Sequence, residues 1–318
     1  MIAFVFPGQG SQAVGMGRAL AEAFPICRET FDEADAALGF PLSTTIFEGP
    51  ADRLTMTEIT QPAILTVSVA ASRLLESRGC RPAIVAGHSL GEYSAHVAAG
   101  TFTFADAVRT VHHRGRYMQE AVPVGSGAMA AILGADEALV AQACADAAEG
   151  EVVSAANLNS PGQIVIAGAT AAVARAGERA KALGAKRVIP LSVSAPFHCA
   201  LMRPAEQRLA PELRALPTRD PRVPVVANVD ASPRRDAASS IEALIQQVSA
   251  PVRWEDSVRR LASEGVTAYV EVGPGTVLSG LIRKIAREAT ILNLDAPDGL
   301  AAIEALVASG GTNASERS

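Results

Sequence analysis

The chain has 318 residues, 49% of them hydrophobic and 19% charged, with 28 Lys and Arg against 33 Asp and Glu for a net charge of −5. Such a composition excludes a disordered chain, and the length suits one large domain that carries a smaller inserted one. The negative balance and the lack of a basic tract argue against nucleic-acid binding, and no apolar run approaches the ~20 residues that span a bilayer.

The first element is an apolar strand, Ile2–Phe6, of the kind buried on both faces of a parallel sheet. It starts without a basic segment or cleavage site, so the expected compartment is the cytoplasm, where Cys27, Cys80, Cys144 and Cys199 would be reduced thiols. These cysteines are too far apart for a zinc site or a disulfide framework. Pro7-Gly8-Gln9-Gly10-Ser11-Gln12 follows the strand, and its glycines permit close backbone approach. The Gln9 N–H is therefore a candidate oxyanion donor, although an ordinary strand-to-helix turn accounts for the same residues. Helical patterns cover Met16 to about Ala37 and Gln61 to about Ser77.

At Ile84-Val85-Ala86-Gly87-His88-Ser89-Leu90-Gly91 an apolar run meets Gly-x-Ser-x-Gly, the sequence form of a nucleophile elbow. Glycines on either side of Ser89 let a strand reverse into a helix, and the N–H of Leu90 at the new helix start faces any oxyanion formed there. Phe104 to Gln119 reads as the next helix and carries Arg109, Arg114 and Arg116. A guanidinium fork fixes a carboxylate through two parallel hydrogen bonds, so one of the three is a candidate for an anionic substrate; the pattern does not choose among them.

The rhythm changes at Pro123-Val124-Gly125-Ser126-Gly127. Strand 128–133, helix 136–148, strand 152–157, strand 163–167, helix 170–183 and strand 186–191 give the order β-α-β-β-α-β, which is ferredoxin-like. Residues 124–192 are accordingly expected to form a small inserted domain, with 1–123 and 193–318 forming the large α/β domain. Directly after the insertion, Pro196 breaks regular structure before His198 and sets its imidazole at the domain junction. His88, His96 and His198 compete for the role of base; His88 adjoins the nucleophile in a tight turn, His96 lies two turns down the helix, and His198 suits the cleft. The remainder returns to α/β, with helices 201–216, 240–248, 254–264, 277–288 and 299–308, strands 223–228, 268–272 and 291–294, and a frayed tail over 310–318. Gly273-Pro274-Gly275 reads as a turn before a helix, with a small anion site as the alternative.

Taken together the motifs resemble the malonyl-CoA:acyl-carrier-protein transacylase family from Phe4 to about Leu294. The resemblance rests on Phe6-Pro7-Gly8-Gln9-Gly10-Ser11-Gln12, Gly87-His88-Ser89-Leu90-Gly91-Glu92-Tyr93, Arg114-Gly115 with Met118-Gln119, and Ala156-Asn157 with Asn159-Ser160-Pro161-Gly162-Gln163. His198-Cys199-Ala200-Leu201-Met202, Pro251-Val252-Arg253-Trp254 and Glu271-Val272-Gly273-Pro274-Gly275 complete it. It implies a large α/β-hydrolase-like domain with an inserted ferredoxin-like one. Ser89 matches the nucleophile, His198 the general base, Gln9 and Leu90 the backbone oxyanion donors, and Arg114 the arginine that pairs with the malonyl carboxylate. Gln247 matches the residue whose main-chain carbonyl, in place of a triad carboxylate, orients the histidine.

The implied reaction is ping-pong transfer of malonyl from malonyl-CoA, through a malonyl-serine, to the phosphopantetheine thiol of an acyl carrier protein, for fatty-acid or polyketide synthesis. It needs no metal or redox cofactor, and the chain is expected to be a monomer. Phe197 resembles the malonyl-selecting residue of this junction, because a ring there crowds an α-methyl branch. An acidic carrier protein calls for a basic patch, for which Lys186, Arg187, Arg283, Lys284 and Arg287 are candidates. Two rivals remain. An esterase or thioesterase with this elbow would carry its histidine near the C-terminus after an acidic residue, whereas no histidine follows His198. A non-catalytic carrier-protein docking module would have no need of Ser89, His198 and Arg114 together.

Overall fold

The computed structural model describes residues 1–315 and contains a large α/β-hydrolase-like unit with a ferredoxin-like unit inserted in it. The large sheet joins β1 (Ile2–Phe6), β2 (Ile84–Gly87), β7 (Val225–Val226), β8 (Pro233–Arg234), β9 (Ala268–Val272) and β10 (Thr290–Leu294) in the order β10-β9-β1-β2-β7-β8. Every pairing is parallel except β7 with β8. β2 and β9 are buried along their whole length; β2 accordingly reads as an unbroken apolar run, and β9 does so but for Glu271. The small sheet joins β3 (Gly127–Leu133), β4 (Val153–Ser160), β5 (Gln163–Ala169) and β6 (Arg187–Pro190) in the order β4-β5-β3-β6, all antiparallel. Its helices, Glu137–Ala147 and Thr170–Ala182, bury Val140 and Ala176 against Ile132, Ile164 and Ile166 in a separate core.

Glycine controls where the large unit's loops meet. Phe6 and Gly87 are partners in the β1–β2 register, so the loop after β1 and the turn after β2 leave the sheet side by side. A Cβ on Gly91 would lie 2.0 Å from the Phe6 carbonyl oxygen, and one on Gly87 would lie 1.9 Å from the Gly91 carbonyl carbon. Both approaches need glycine. A third close approach occurs at Gly115, whose Cβ would fall 2.6 Å from the Thr57 carbonyl oxygen, where the helices Thr57–Ser77 and Phe104–Glu120 cross. That crossing sets Arg114 against Gln61. Within the first of these helices Pro62 removes the N–H that would bond the Glu58 carbonyl, and His112 Nδ1 takes that oxygen at 2.8 Å.

Several expected boundaries move. The helix expected over 16–37 is two, Arg18–Ala23 and Pro25–Leu38, because Phe24 is extended ahead of Pro25. Short helices at Leu42–Glu48 and Ala51–Thr55, and strand β8, had no periodic signal. The strand expected over 223–228 pairs only at Val225 and Val226, and the helix expected over 201–216 begins with a 3₁₀ turn at Ala200–Met202. The helix expected to end at 288 stops at Ile285, which leaves Arg287 beyond it. The last helix, Leu300–Ser315, passes through most of the tail expected over 310–318, and 316–318 lie outside the described residues. Gly273-Pro274-Gly275 is a turn, and the helix that follows already has an anion: the buried Glu271 carboxylate accepts from the N–H groups of Leu278 (3.0 Å) and Ser279 (2.7 Å).

His96 is fully buried in the helix Leu90–Ala99, with Nδ1 3.0 Å from Thr101 Oγ1 and Nε2 unpartnered. Burial pulls its pKa down to about 3 from an ordinary 6.5. The unfolded chain therefore takes up a proton that the fold refuses, and the stability from this group, full above 6.5, is lost as pH falls toward 3. We expect denaturation free energy to fall below pH 6.5, with a shallower slope in His96→Gln by up to about 1.4 kcal/mol per pH unit; identical slopes would refute the assignment. Gly91→Ala is expected to destabilise the fold by more than about 3 kcal/mol, as read from the denaturation midpoint.

Candidate active site

Ser89 sits at the turn between β2 and the helix Leu90–Ala99, with φ 52° and ψ −108°. A side chain in this region is strained, and the turn is held by bonds on every side. The Ser89 N–H donates to Asn228 Oδ1 (2.7 Å), Asn228 Nδ2 donates to the Gly87 carbonyl (2.7 Å), and the Ser89 carbonyl accepts from Gln247 Nε2 (2.9 Å). The hydroxyl is left pointing into a cavity of about 300 Å³, lined also by Gln9, Arg114, Met118, Phe197 and His198.

His198 Nε2 is 2.6 Å from Ser89 Oγ, and its Nδ1 is 2.9 Å from the main-chain oxygen of Gln247. The carbonyl can only accept, so Nδ1 carries the proton and Nε2 is free to take the one on Ser89. Burial first, and the Arg114 charge second, hold His198 down at about 3, which keeps the ring neutral and its Nε2 lone pair open at physiological pH. His198 itself has φ 59°, a second strained residue directly opposite the first. Among the described residues, no side-chain carboxylate takes part in this pair.

Arg114 is 1% exposed, yet among the described residues it forms no ion pair. Its Nη1 donates to Gln61 Oε1 (2.8 Å), and its Nη2 donates to Gln247 Oε1 (2.9 Å) and Ser89 Oγ (3.2 Å). The guanidinium lies over the Tyr93 ring at 5.4 Å, and its Nε has no partner. Burial lowers its pKa. All three of these hydrogen-bond acceptors are neutral, so the guanidinium is a candidate partner for an anion. The other two arginines are spoken for at the surface, Arg109 by Asp106 (2.7 Å) and Arg116 by Glu120 (4.0 Å).

The remaining expected residues fall as follows. Among the described residues, the backbone N–H groups of Gln9 and Leu90 have no hydrogen-bond partner, and Gln9 lines the cavity with Ser89. Phe197 is buried at the cavity wall. His88 lines the same cavity, but its Nε2 is 2.8 Å from Asn159 Oδ1 on β4, its ring lies 5.7 Å from that of Trp254, and burial lowers its pKa. It therefore joins the elbow to the small unit, as do the hydrogen bonds of β4 to Val252. Lys186, Arg187, Arg283, Lys284 and Arg287 are all exposed; Lys284 Nζ donates to Gln163 Oε1 (3.0 Å), and none forms an ion pair among the described residues.

Sequence reasoning missed Gln61, Asn228, Glu92 and the side chain of Gln247. Only Glu92 left a trace, as the one acidic residue of the helix Leu90–Ala99, three positions after the serine. Gln61 and Asn228 sit in segments whose burial, not their pattern, gives them meaning.

Residues 3–300 match the family described as the acyl transferase domain. The malonyl CoA-acyl carrier protein transacylase of Escherichia coli strain K12 is 54% identical over 301 residues, covering 94% of this chain and 97% of the relative. That of Bacillus subtilis is 51% identical over 298 residues, covering 93% and 94%. A solved transacylase of the same name from Coxiella burnetii superposes with a TM-score of 0.93 at 46% identity, covering 95% of this chain and 96% of that one. A malonyl-transacylase in complex with a type II polyketide acyl-carrier protein gives the same TM-score and identity, covering 95% and 98%. The chain belongs to the malonyl CoA-acyl carrier protein transacylase family of acyl transferase domains.

Proposed function

We propose that this chain transfers a malonyl group from malonyl-CoA to the phosphopantetheine thiol of an acyl carrier protein, through a malonyl-serine at Ser89. The observation that carries the reading is the meeting at one hydroxyl of a neutral base, His198 Nε2 at 2.6 Å, and a buried, unpaired cation, Arg114 Nη2 at 3.2 Å. A base beside Ser89 serves any acyl transfer; the cation singles out acyl groups that end in a carboxylate.

In the first half-reaction His198 takes the Ser89 proton as Oγ attacks the thioester carbonyl. The oxyanion is received by the N–H groups of Gln9 and Leu90, and collapse of the intermediate expels the CoA thiolate, which His198 protonates. In the second half-reaction the carrier thiol gives its proton to His198 and attacks the malonyl-serine, and Ser89 recovers its proton as it leaves. Each step is a proton transfer or an acyl transfer, so the chemistry calls on no metal or redox cofactor. The carboxylate held by Arg114 fixes the acyl carbonyl relative to the oxyanion donors, which favours a seated thiol over stray water.

We place the small domain at 124–192 between large-domain segments 1–123 and 193–318, a division supported by the Gly-rich link before β3 and by the strands' assignment to two sheets. Synthesis of fatty acids or polyketides in the cytoplasm is the setting this reading implies, with the chain acting as a monomer.

Intact-protein mass spectrometry after mixing with malonyl-CoA, then with holo carrier protein, tests the proposal. The account expects a malonyl adduct that is absent in Ser89→Ala and moves to the carrier; an adduct that decays to free malonate with the carrier untouched would identify a thioesterase. Phe197→Ser is expected to raise the methylmalonyl-to-malonyl ratio of kcat/KM by about tenfold, and an unchanged ratio would remove the steric role. Reversing charge at Lys186 and Arg283 together should raise KM for the carrier several-fold at low salt while KM for malonyl-CoA holds; an unaltered carrier KM would eliminate this patch.

A further inference from the structure

The side chain of Gln247 makes three of the contacts that shape the site. Its Oε1 accepts from Arg114, while its Nε2 donates to the Ser89 carbonyl and to Glu92 Oε2, both at 2.9 Å. An amide flipped end for end would aim NH₂ at the guanidinium and oxygen at two acceptors, so Arg114 would lose a partner and both neighbours would lose a donor. Glu92 enforces the orientation. It is fully buried one turn into the elbow helix, and the same Oε2 also accepts the backbone N–H of Asn228 (3.0 Å), the residue whose side chain receives the Ser89 N–H. Glu92 Oε1 has no partner.

We infer that Glu92 is a positioning residue that fixes the Gln247 amide and the Asn228 main chain, and through Gln247 aims Arg114 at the acyl carboxylate. This rests on the malonyl-transfer reading above. A carboxylate thus stands one residue behind the base: Gln247 gives its main-chain oxygen to His198 and its side chain to Glu92. Burial holds the Glu92 pKa up at about 7, consistent with a proton shared onto the unpartnered Oε1 while Oε2 keeps both bonds. What the site uses is therefore one oxygen at the right reach. A glutamine supplies that oxygen, an aspartate falls one methylene short, and a methionine has the reach without the acceptor.

The test is steady-state kcat/KM for malonyl-CoA and for acetyl-CoA in the wild type, Glu92→Met, Glu92→Asp and Glu92→Gln. Acetyl-CoA has no carboxylate for Arg114, so a general loss of structure lowers both values together, whereas misaimed Arg114 lowers the malonyl value alone. We expect the malonyl-over-acetyl ratio to fall about tenfold or more in Glu92→Met and Glu92→Asp and to stay within about threefold of wild type in Glu92→Gln. A wild-type ratio in the aspartate variant, or a parallel fall for both esters, would overturn the inference. If the methionine variant does not fold, the aspartate and glutamine variants decide. A wild type that shows no malonyl preference would instead sink the malonyl-transfer reading itself.

Discussion

A buried guanidinium that forms no ion pair among the described residues is the constraint on which the site depends. Removing Arg114 from water costs several kcal/mol, and the protein offsets that with two amide oxygens, a hydroxyl and an aromatic face. Each of those neighbours must be brought from a different part of the chain: Gln61 from the central helix, Gln247 from the end of Ala237–Gln247, Ser89 and Tyr93 from the elbow helix. The requirement for glycine at position 115 follows, since only a close crossing of two helices brings Arg114 beside Gln61. In the proposed reaction the acyl carboxylate is the charged partner that this cation lacks among the described residues.

Around that centre the elbow is locked by backbone contact and by amide chemistry. Gly87, Gly91 and the β1–β2 register hold the two loops together, while Asn228 and Gln247 bind the Ser89 peptide from both ends. Strain at Ser89 and His198 is tolerated because so many bonds determine each residue. In the proposed reaction His198 acts without an acidic partner: Arg114 and burial keep it neutral and Gln247 fixes its tautomer. The small unit is held to this core through His88 with Asn159 and through β4 with Val252, so Met129 and Asn157, which it contributes to the cavity wall, are in fixed register with Ser89.

Much of this was legible in the sequence where a residue's neighbours in the chain decide its geometry. The elbow, the ferredoxin-like order and the position of His198 after Pro196 are local facts, and the structure keeps all three. What local pattern could not supply was the choice among Arg109, Arg114 and Arg116, which lie on one helix and differ only in which face meets the core; there the family resemblance singled out Arg114. Gln61 and Asn228 were invisible, and Glu92 showed only its charge, for the same reason: polar residues in apolar segments gain a role only from partners more than fifty positions away. Boundaries failed where extended residues interrupt a helical pattern, as at Phe24, or where a strand makes only two ladder pairs, as in β7.

The central claim is that the buried Arg114 charge makes this serine selective for an acyl group bearing a carboxylate. The most direct measurement is a competition for Ser89 between equal malonyl-CoA and acetyl-CoA, quenched within the first turnover and read as the ratio of the two adduct masses, in the wild type and in Arg114→Ala. The account predicts a malonyl adduct almost alone in the wild type and a ratio near unity or inverted in the variant. A variant that keeps the wild-type preference would contradict it.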